Sequence, residues 1–295
     1  MSQDRRPETA SIIRLRDGRR LAYLSVGNSD GFPIFHFHGN GTSALEVLTV
    51  QSAAERCGVR LIGLSRPGIG HSDARAGYRL FDWPDDVGEV ADQFGIERFA
   101  VEGLSGGGPY ALACAYKIPH RLIGCGLISP ATGPFINEAG TRRLRMAVWM
   151  LVRLPWLIHT LVRASAARKR SDTASIEKRL LHNGARLGTA DHQLLGIPQV
   201  RMAFAQALAD GSRQGADAPT RDGMIFAGPW GFRAEEITFE KVFLWQGEQD
   251  WVMPVAAARQ LAQALPHCTA TFYPDSGHLS TFVNHAQDIW KALSV

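Results

Sequence analysis

Several features that mark particular protein classes are scarce in this sequence. Only four of its 295 residues are cysteines, and none of them forms a Cys-x-x-Cys pair. This scatter is typical of buried free thiols in a reducing compartment, rather than of a disulfide framework or a zinc site. No uncharged apolar stretch reaches about 18 residues, which argues against a membrane-spanning helix. The cysteines are Cys57, Cys114, Cys125 and Cys268.

The N-terminal region also lacks a targeting pattern. Residues 1–20 are polar and charged and contain no apolar core of a secretory signal. Together with the unpaired cysteines, this predicts a cytoplasmic protein. An apolar fraction of 45% is ordinary for a globular chain, and 295 residues suit one large domain or a domain that carries an insertion.

Acidic residues are missing from residues 139–171, although the same segment contains eight basic residues. Since the whole chain has a net charge of +4, the other residues together carry −4, and the basic excess is local. We therefore expect no nucleic-acid partner. A solvated arginine-rich face, weak contact of Arg142–Arg170 with an anionic membrane, and acidic groups on a soluble substrate all stay open. The basic residues are Arg142, Arg143, Arg145, Arg153, Arg163, Arg168, Lys169 and Arg170.

The hydrophobic pattern predicts an α/β fold. Residues 11–16 and 21–25 alternate around Asp17-Gly18, which is typical of a tight hairpin. Short apolar segments then alternate with helical ones, which predicts a doubly wound, mostly parallel sheet covered on both faces. The predicted strands are 34–37, 60–64, 99–103, 122–128, 241–246 and 269–273, and the predicted helices are 44–56, 87–94, 110–117, 255–265 and 281–293.

The alternation stops near Ser129 and resumes at Lys241. The intervening sequence is helical in pattern, basic, rich in tryptophan and interrupted by prolines. We therefore predict an α/β core from residues 1–132 and 241–295, with residues 133–240 inserted as a helical cap. Apolar side chains of the cap indicate a substrate with a sizeable hydrophobic part, although packing against the core is the alternative. The predicted substrate-pocket residues are His38, Phe135, Trp149, Trp230 and Trp251.

The segment 103–107 has the pattern Gly-x-Ser-x-Gly between a predicted strand and a predicted helix. A sharp strand-to-helix turn strains the backbone of its central serine and exposes the hydroxyl. Only glycine-sized residues two positions on either side avoid a collision there, and Gly103 and Gly107 occupy these positions. We predict that Ser105 is a nucleophile at such an elbow. The alternative is a glycine-rich turn with an exposed serine.

A serine nucleophile needs a base, and the base needs an acid to orient it. Ligand sites in doubly wound sheets lie beyond the C-terminal ends of the strands. Asp250 follows the predicted strand 241–246, and His278 follows the strand 269–273. We therefore predict a catalytic triad of Ser105, His278 and Asp250. Glu248 is the rival acid, and a turn or N-cap role for Asp250 stays open.

The segment His36-Phe37-His38-Gly39-Asn40-Gly41 covers the end of the first predicted parallel strand and the residues directly after it. Small residues there allow backbone N–H groups to face Ser105. The N–H groups of Asn40 and Gly106 are the predicted donors to an oxyanion. The alternative is a plain glycine turn in which His38 only holds the loop.

In these motifs the chain resembles the α/β-hydrolase fold superfamily, in its cap-bearing serine branch. The matching segments are His38-Gly39, Arg66–Ser72, Gly103–Gly107, Gly247–Asp250 and Gly277-His278. The resemblance implies a Ser–His–Asp triad that works without a cofactor or a metal. Ser65 replaces an acidic residue of many relatives, and we expect only a local structural change from it.

The resemblance also implies the chemistry. Epoxide hydrolases and haloalkane dehalogenases of this fold carry aspartate at the elbow, so Ser105 disfavours both activities. A serine hydrolase is implied, which cleaves an ester or related acyl bond of a small-to-medium hydrophobic substrate through an acyl-enzyme. The alternatives are a C–C bond hydrolase, a lactonase, an aminopeptidase or a perhydrolase, or a ligand-sensing signalling protein. The oligomeric state is not predicted.

Overall fold

An eight-stranded sheet forms the centre of the molecule. The computed structural model describes residues 9–135, 172–183 and 188–295, with seven isolated positions between 146 and 160, and elements are numbered over these residues. The sheet order is β1-β2-β4-β3-β5-β6-β7-β8. The strands are β1 Ser11–Arg14, β2 Arg20–Gly27, β3 Phe32–Phe37, β4 Val59–Leu64, β5 Phe99–Leu104, β6 Leu122–Ile128, β7 Val242–Gly247 and β8 Cys268–Tyr273.

Most of the sheet is parallel. Strand β2 pairs antiparallel with β1 and β4, and every other neighbouring pair is parallel. The predicted hairpin is present, because Arg14 pairs with Arg20 and Gly18 adopts a φ of +87° in the turn between them. The mostly parallel α/β sheet expected from the sequence is therefore confirmed.

Helices of the core lie at or near their predicted positions. The predicted helix 44–56 is a 3-10 helix over Ala44–Val50 followed by α1, and the helix after the elbow starts with a 3-10 turn over Ser105–Gly107. Helix α2 begins four residues earlier than predicted, with Pro84 in its first turn, where a missing N–H costs no hydrogen bond. The core helices are α1 Gln51–Cys57, α2 Trp83–Gln93, α3 Gly108–Lys117, α8 Val255–Ala264 and α9 Ser280–Leu293.

Two apolar clusters cover the two faces of the sheet. Neighbouring residues of β3 contribute to different clusters, Ile34 to one and Phe35 to the other, because strand side chains alternate between faces. Trp83 of α2 packs in the first cluster, and Trp290 of α9 packs in the second. Burial on both faces explains why the parallel strands read as continuous apolar runs in the sequence.

Four α-helices lie between β6 and β7 in the described ranges. They are α4 Thr173–Asn183, α5 Thr189–Gly196, α6 Pro198–Gly211 and α7 Asp217–Ala227. We call residues 133–240 the helical insertion; its boundaries as a separate cap stay a prediction. Of the eight basic residues in 139–171, only Arg153 is among the described residues. No helix in the described ranges is both long enough and apolar enough to cross a lipid bilayer.

Candidate active site

Ser105 sits on a strained turn between β5 and α3. Its φ is +52°, a left-handed conformation that non-glycine residues rarely adopt. A Cβ added to Gly103 would lie 2.2 Å from the carbonyl oxygen of Gly107, and one added to Gly107 would lie 1.9 Å from that of Phe37. Any side chain at either position would therefore collide with backbone. This geometry explains why the pattern Gly-x-Ser-x-Gly occurs here.

Asp250 and His278 meet at the C-terminal ends of β7 and β8. The Nδ1–H of His278 donates to Oδ2 of Asp250 at 2.8 Å, and Gln246 Nε2 donates to the same oxygen at 2.8 Å. Oδ1 of Asp250 accepts the backbone N–H groups of Val252 at 2.7 Å and Met253 at 2.8 Å. Asp250 thus combines both roles considered from the sequence, because one oxygen holds the turn and the other holds the imidazole.

The rival acid lies elsewhere. Glu248 is exposed, and its Oε1 accepts from Arg259 Nη2 at 2.6 Å. Glu248 therefore forms an ion pair at the surface, whereas the Asp250 side chain is completely buried.

Asp250 and His278 shift each other's pKa in opposite directions. Burial lowers the pKa of His278, but the charge and hydrogen bond of Asp250 outweigh it and raise that pKa above its usual value. Burial raises the pKa of Asp250, but the charge and hydrogen bond of His278, with the backbone donors, lower it overall. Since Nδ1 carries the proton donated to Asp250, Nε2 is left to accept one from another group.

Ser105 and His278 each adjoin a residue that lines the same cavity. Leu104, directly before Ser105, and Leu279, directly after His278, are both among its lining residues. No hydrogen bond joins the Ser105 hydroxyl to His278 among the described residues. Catalytic hydrogen bonds are often long in ligand-free proteins and shorten when substrate binds. The other lining residues are Glu46, Thr49, Leu194, Leu195, Val200, Phe204, Phe282 and Val283.

Both sides of Gly39 are held by hydrogen bonds. Its N–H donates to Glu46 Oε2 at 3.0 Å, and its carbonyl accepts from His38 Nδ1 at 2.7 Å, Thr42 Oγ1 at 3.1 Å and Arg66 Nη2 at 3.1 Å. In a trans peptide the next N–H, that of Asn40, points away from this carbonyl. The orientation of the Asn40 N–H is therefore fixed by the partners of Gly39.

The loop with Asn40 lies against the elbow. A Cβ built on Gly39 would be 3.7 Å from Cβ of Ser105. The N–H of Asn40 has no hydrogen-bond acceptor among the described residues. The N–H of Gly106 lies in the first turn after Ser105, where helical N–H groups lack intrahelical partners. The two donors could thus serve an oxyanion beside Ser105, and this role stays a prediction.

A completely buried arginine connects residues 38–42, which we name the oxyanion loop after its predicted role, to the helical insertion. Arg66 Nε donates to Asp222 Oδ2 of α7 at 2.7 Å, and Nη1 donates to the carbonyl of His38 at 2.6 Å. The guanidinium lies 4.9 Å from the ring centre of Tyr110 and 5.7 Å from that of Phe226. Arg66 belongs to a recognised motif, but nothing in the sequence signals its pairing with Asp222.

A second buried charge cluster supports the same loop. His36 Nδ1 lies 2.9 Å from Glu102 Oε1, and Nε2 lies 3.0 Å from Glu46 Oε2, the oxygen that also accepts from Gly39. Burial lowers the pKa of His36, but the hydrogen bonds and charges of Glu102 and Glu46 outweigh it and raise the pKa to about 9. An imidazolium therefore joins two carboxylates. The sequence analysis missed this cluster, although a histidine and a glutamate inside apolar strands are a usable signal.

His38 holds the loop. It is fully buried, its Nδ1 donates to the Gly39 carbonyl, and its Nε2 accepts the N–H of Arg66 at 3.3 Å. Burial and the charge of Arg66 lower the pKa of His38 well below its usual value, so the ring is neutral. The structure thus supports the loop-holding alternative considered from the sequence, and a contact with substrate stays a prediction.

The other predicted pocket residues lie in different environments. Trp230 is 4% exposed and packs in the first apolar cluster with the half-buried Phe135, whereas Trp149 and Trp251 are 56% and 77% exposed. None of them is among the described residues that line the cavity next to Ser105. Leu104 and Leu279 could have been inferred, because each directly adjoins a predicted catalytic residue.

The described ranges contain no group of three or more His, Cys, Asp or Glu side chains arranged to hold a metal ion. The expectation of a site without a metal or cofactor stays a prediction.

Comparisons with known proteins identify the family. The family description "alpha/beta hydrolase fold" matches residues 33–285. A protein of Cupriavidus necator, named dihydrolipoyllysine-residue acetyltransferase component of acetoin cleaving system, is 26% identical over 276 residues. This match covers 90% of the chain but 63% of that relative, so the chain spans less than two thirds of its length.

Solved structures agree on the fold. One comes from a study of carboxylesterases of Nitrososphaera gargenis, with a TM-score of 0.67, 16% identity and coverage of 96% of both chains. Another is the enol-lactonase from Burkholderia xenovorans, with a TM-score of 0.62, 21% identity and coverage of 95% of this chain and all of the other. With its mixed eight-stranded sheet and its elbow serine, the chain belongs to the α/β-hydrolase fold family.

Proposed function

We propose that the protein is a serine hydrolase that cleaves an ester or related acyl bond in a small-to-medium hydrophobic substrate. One observation carries the proposal: a serine with strained backbone and a hydrogen-bonded histidine–aspartate pair occur together, and the chain neighbours of Ser105 and His278 line the same cavity. The strained backbone exposes the Ser105 hydroxyl, and the buried pair supplies a base of fixed tautomer.

The first half of the reaction forms an acyl-enzyme. The Ser105 hydroxyl oxygen attacks the substrate carbonyl carbon while Nε2 of His278 takes its proton. The carbonyl oxygen becomes an oxyanion and accepts hydrogen bonds from the N–H groups of Asn40 and Gly106. His278 then gives the proton to the leaving alcohol as the ester C–O bond breaks.

The second half restores the enzyme. Nε2 of His278 takes a proton from water, and the water oxygen attacks the carbonyl carbon of the acyl-serine. The bond from that carbon to the Ser105 oxygen breaks, and His278 returns the proton to Ser105. Throughout, Asp250 stabilises the imidazolium and keeps Nδ1 protonated, which is the function of a buried carboxylate in such a triad.

The cavity favours an apolar acyl group. Its lining is mainly leucine, valine and phenylalanine side chains, which would be poorly solvated and would bind hydrocarbon rather than charge. We therefore expect esters with an apolar acyl group to be preferred over esters with a charged one.

A panel of p-nitrophenyl esters tests the proposal. Acetate, butyrate, octanoate and laurate esters are compared on the wild type, on Ser105→Ala and on Ser212→Ala, whose exposed serine lies at the end of α6. We expect many turnovers per molecule with esters of short to medium chain length. Ser105→Ala should lose at least about 10³-fold in kcat, because loss of the nucleophile leaves only binding and the oxyanion donors. Ser212→Ala should behave as the wild type.

Two outcomes would contradict the proposal in different ways. A single burst without a steady state would favour the ligand-sensing alternative. Failure of a fluorophosphonate probe to label the wild type, in a preparation shown to be folded by circular dichroism, would show that Ser105 is not an activated nucleophile.

A further inference from the structure

Asp191 of the helical insertion reaches the loop that carries His278. Its side chain is completely buried. Oδ2 accepts the backbone N–H of His278 at 2.8 Å, and Oδ1 accepts those of Leu279 at 3.1 Å and Ser280 at 2.9 Å. The hydroxyl of Ser280 donates to Oδ1 at 2.8 Å as well. A single carboxylate from α5 therefore binds three consecutive residues of the core.

These donors lie at the start of α9. The first N–H groups of a helix lack intrahelical acceptors, and the helix dipole makes this end positive. A carboxylate accepts hydrogen bonds from these N–H groups, and its negative charge is stabilised by the positive end of the helix dipole. The charge also strengthens each hydrogen bond. Asp191 supplies it from 87 residues earlier in the chain than His278, so the insertion provides the cap of a core helix.

The adjoining glycine shows that the loop is built around this carboxylate. A Cβ added to Gly277 would lie 2.8 Å from Cγ and Oδ1 of Asp191, closer than real Cβ contacts. The N–H of Gly277 also donates to the Ser280 hydroxyl at 2.7 Å, the group that donates onward to Asp191. The glycine of the Gly277-His278 motif is thus explained by the approach of a residue from the insertion.

We propose that Asp191 is a positioning residue for His278, through which the helical insertion holds the base of the triad in place. By fixing the backbone N–H of His278, Asp191 sets the point from which the imidazole reaches Asp250 at 2.8 Å. The effect of Asp191 on catalysis rests on the proposed function. The effect of Asp191 on the pKa of His278 does not depend on that function.

A second effect of Asp191 is electrostatic. The charged groups that raise the pKa of His278 against the effect of burial are Asp250 from the loop after β7, Asp191 from α5 and Glu46 from the 3-10 helix over Ala44–Val50. Replacing Asp191 by a neutral residue removes one of these charges. The pKa of His278 should then fall while Asp250 still holds Nδ1.

The experiment compares Asp191→Asn with the wild type and with Glu177→Gln in the full chain. Glu177 is a matched control, because it is a carboxylate of the same insertion whose ion pair, to Arg201 Nε at 3.1 Å, stays within the insertion. The first readout is the titration of the His278 ring by NMR on isotope-labelled protein, with His278→Gln used to assign the signal. We expect a lower His278 pKa in Asp191→Asn and an unchanged one in Glu177→Gln.

The second readout is ester hydrolysis. We expect kcat of Asp191→Asn to fall at least about tenfold with little change in KM, since a small displacement of a catalytic group can cost up to about 10²-fold. A purely structural cap would instead lower the midpoint of thermal unfolding and leave the kcat of the folded enzyme and the His278 titration unchanged, and that result overturns the proposal. If Asp191→Asn does not fold, Asp191→Ser replaces it, because serine keeps one oxygen acceptor for the start of α9. The His278 titration and ester hydrolysis are then measured on Asp191→Ser.

The two proposals fail separately. Absence of turnover in the wild type refutes the hydrolase but leaves the NMR titration as a test of Asp191. An unchanged His278 titration in an active Asp191→Asn enzyme refutes the role of Asp191 and leaves the hydrolase standing.

Discussion

The buried His36 should make the stability of the protein depend on pH. His36 is completely buried between Glu102 and Glu46, with ring nitrogens 2.9 and 3.0 Å from their carboxylates. Burial alone would lower its pKa, but the two carboxylates raise it to about 9. In the unfolded chain it should titrate near its ordinary value of about 6.5.

The size and sign of the effect follow from these two values. A raised pKa in the folded state means that the contribution of His36 is fully present below pH 6.5 and is lost as the pH rises through 9. Each pKa unit is worth about 1.4 kcal/mol, so a rise from about 6.5 to about 9 is worth about 3 kcal/mol. Between pH 6 and pH 9, the free energy of unfolding should therefore fall by about 3 kcal/mol through this residue.

Urea unfolding at pH 6, 7.5 and 9 measures the contribution of His36 to the free energy of unfolding, by linear extrapolation to water. The comparison variant is His36→Gln, whose side chain cannot titrate. The difference in unfolding free energy, wild type minus variant, reports on His36 together with its two glutamate partners, because titrating groups that do not contact this cluster behave alike in both proteins. That difference should shrink by about 3 kcal/mol from pH 6 to pH 9. A difference for His36→Gln that stays flat from pH 6 to pH 9 would refute an imidazolium between the two glutamates.

Three further predictions concern the elbow, the oxyanion loop and the basic segment. Gly107→Ala should destabilise the fold by at least about 3 kcal/mol in urea unfolding, because its Cβ would meet the carbonyl of Phe37, whereas Gly88→Ala inside α2 meets no neighbour and should be neutral or stabilising. Equal effects of the two alanines would contradict this steric argument. Arg66→Lys cannot reproduce the guanidinium contacts that hold the oxyanion loop, so ester hydrolysis should lose about 10²-fold in kcat, and an unchanged kcat would show that the loop orients itself. If Arg142–Arg170 contacts anionic membranes, the protein should sediment with phosphatidylserine vesicles at low salt and be released at high salt, and absence of binding at low salt rejects that contact.

The sequence by itself determined the order of the elements and the position of the elbow. Strand and helix periodicities are local, so the alternation of apolar segments predicted the strands of the sheet and the core helices within a few residues. The steric demand on Gly103 is also local, because the colliding backbone atoms belong to the same turn, whereas the demand on Gly107 comes from Phe37 in the adjacent strand. Asp250 and His278 could be predicted to lie together because the C-terminal ends of parallel strands share one edge of the sheet.

Only the tertiary structure shows which buried charged side chains pair with each other, or with backbone groups, around the candidate site. Arg66 finds Asp222 156 residues later, and the insertion's Asp191 caps a helix of the core. Composition and spacing carry no information on such pairings, since many carboxylates are available in the chain and only packing selects among them. The same holds for the cavity. Hydrophobic burial is non-directional, so the sequence could not assign the large aromatic residues to a particular wall, and the cavity is lined by Leu104, Leu279 and other residues that were not predicted.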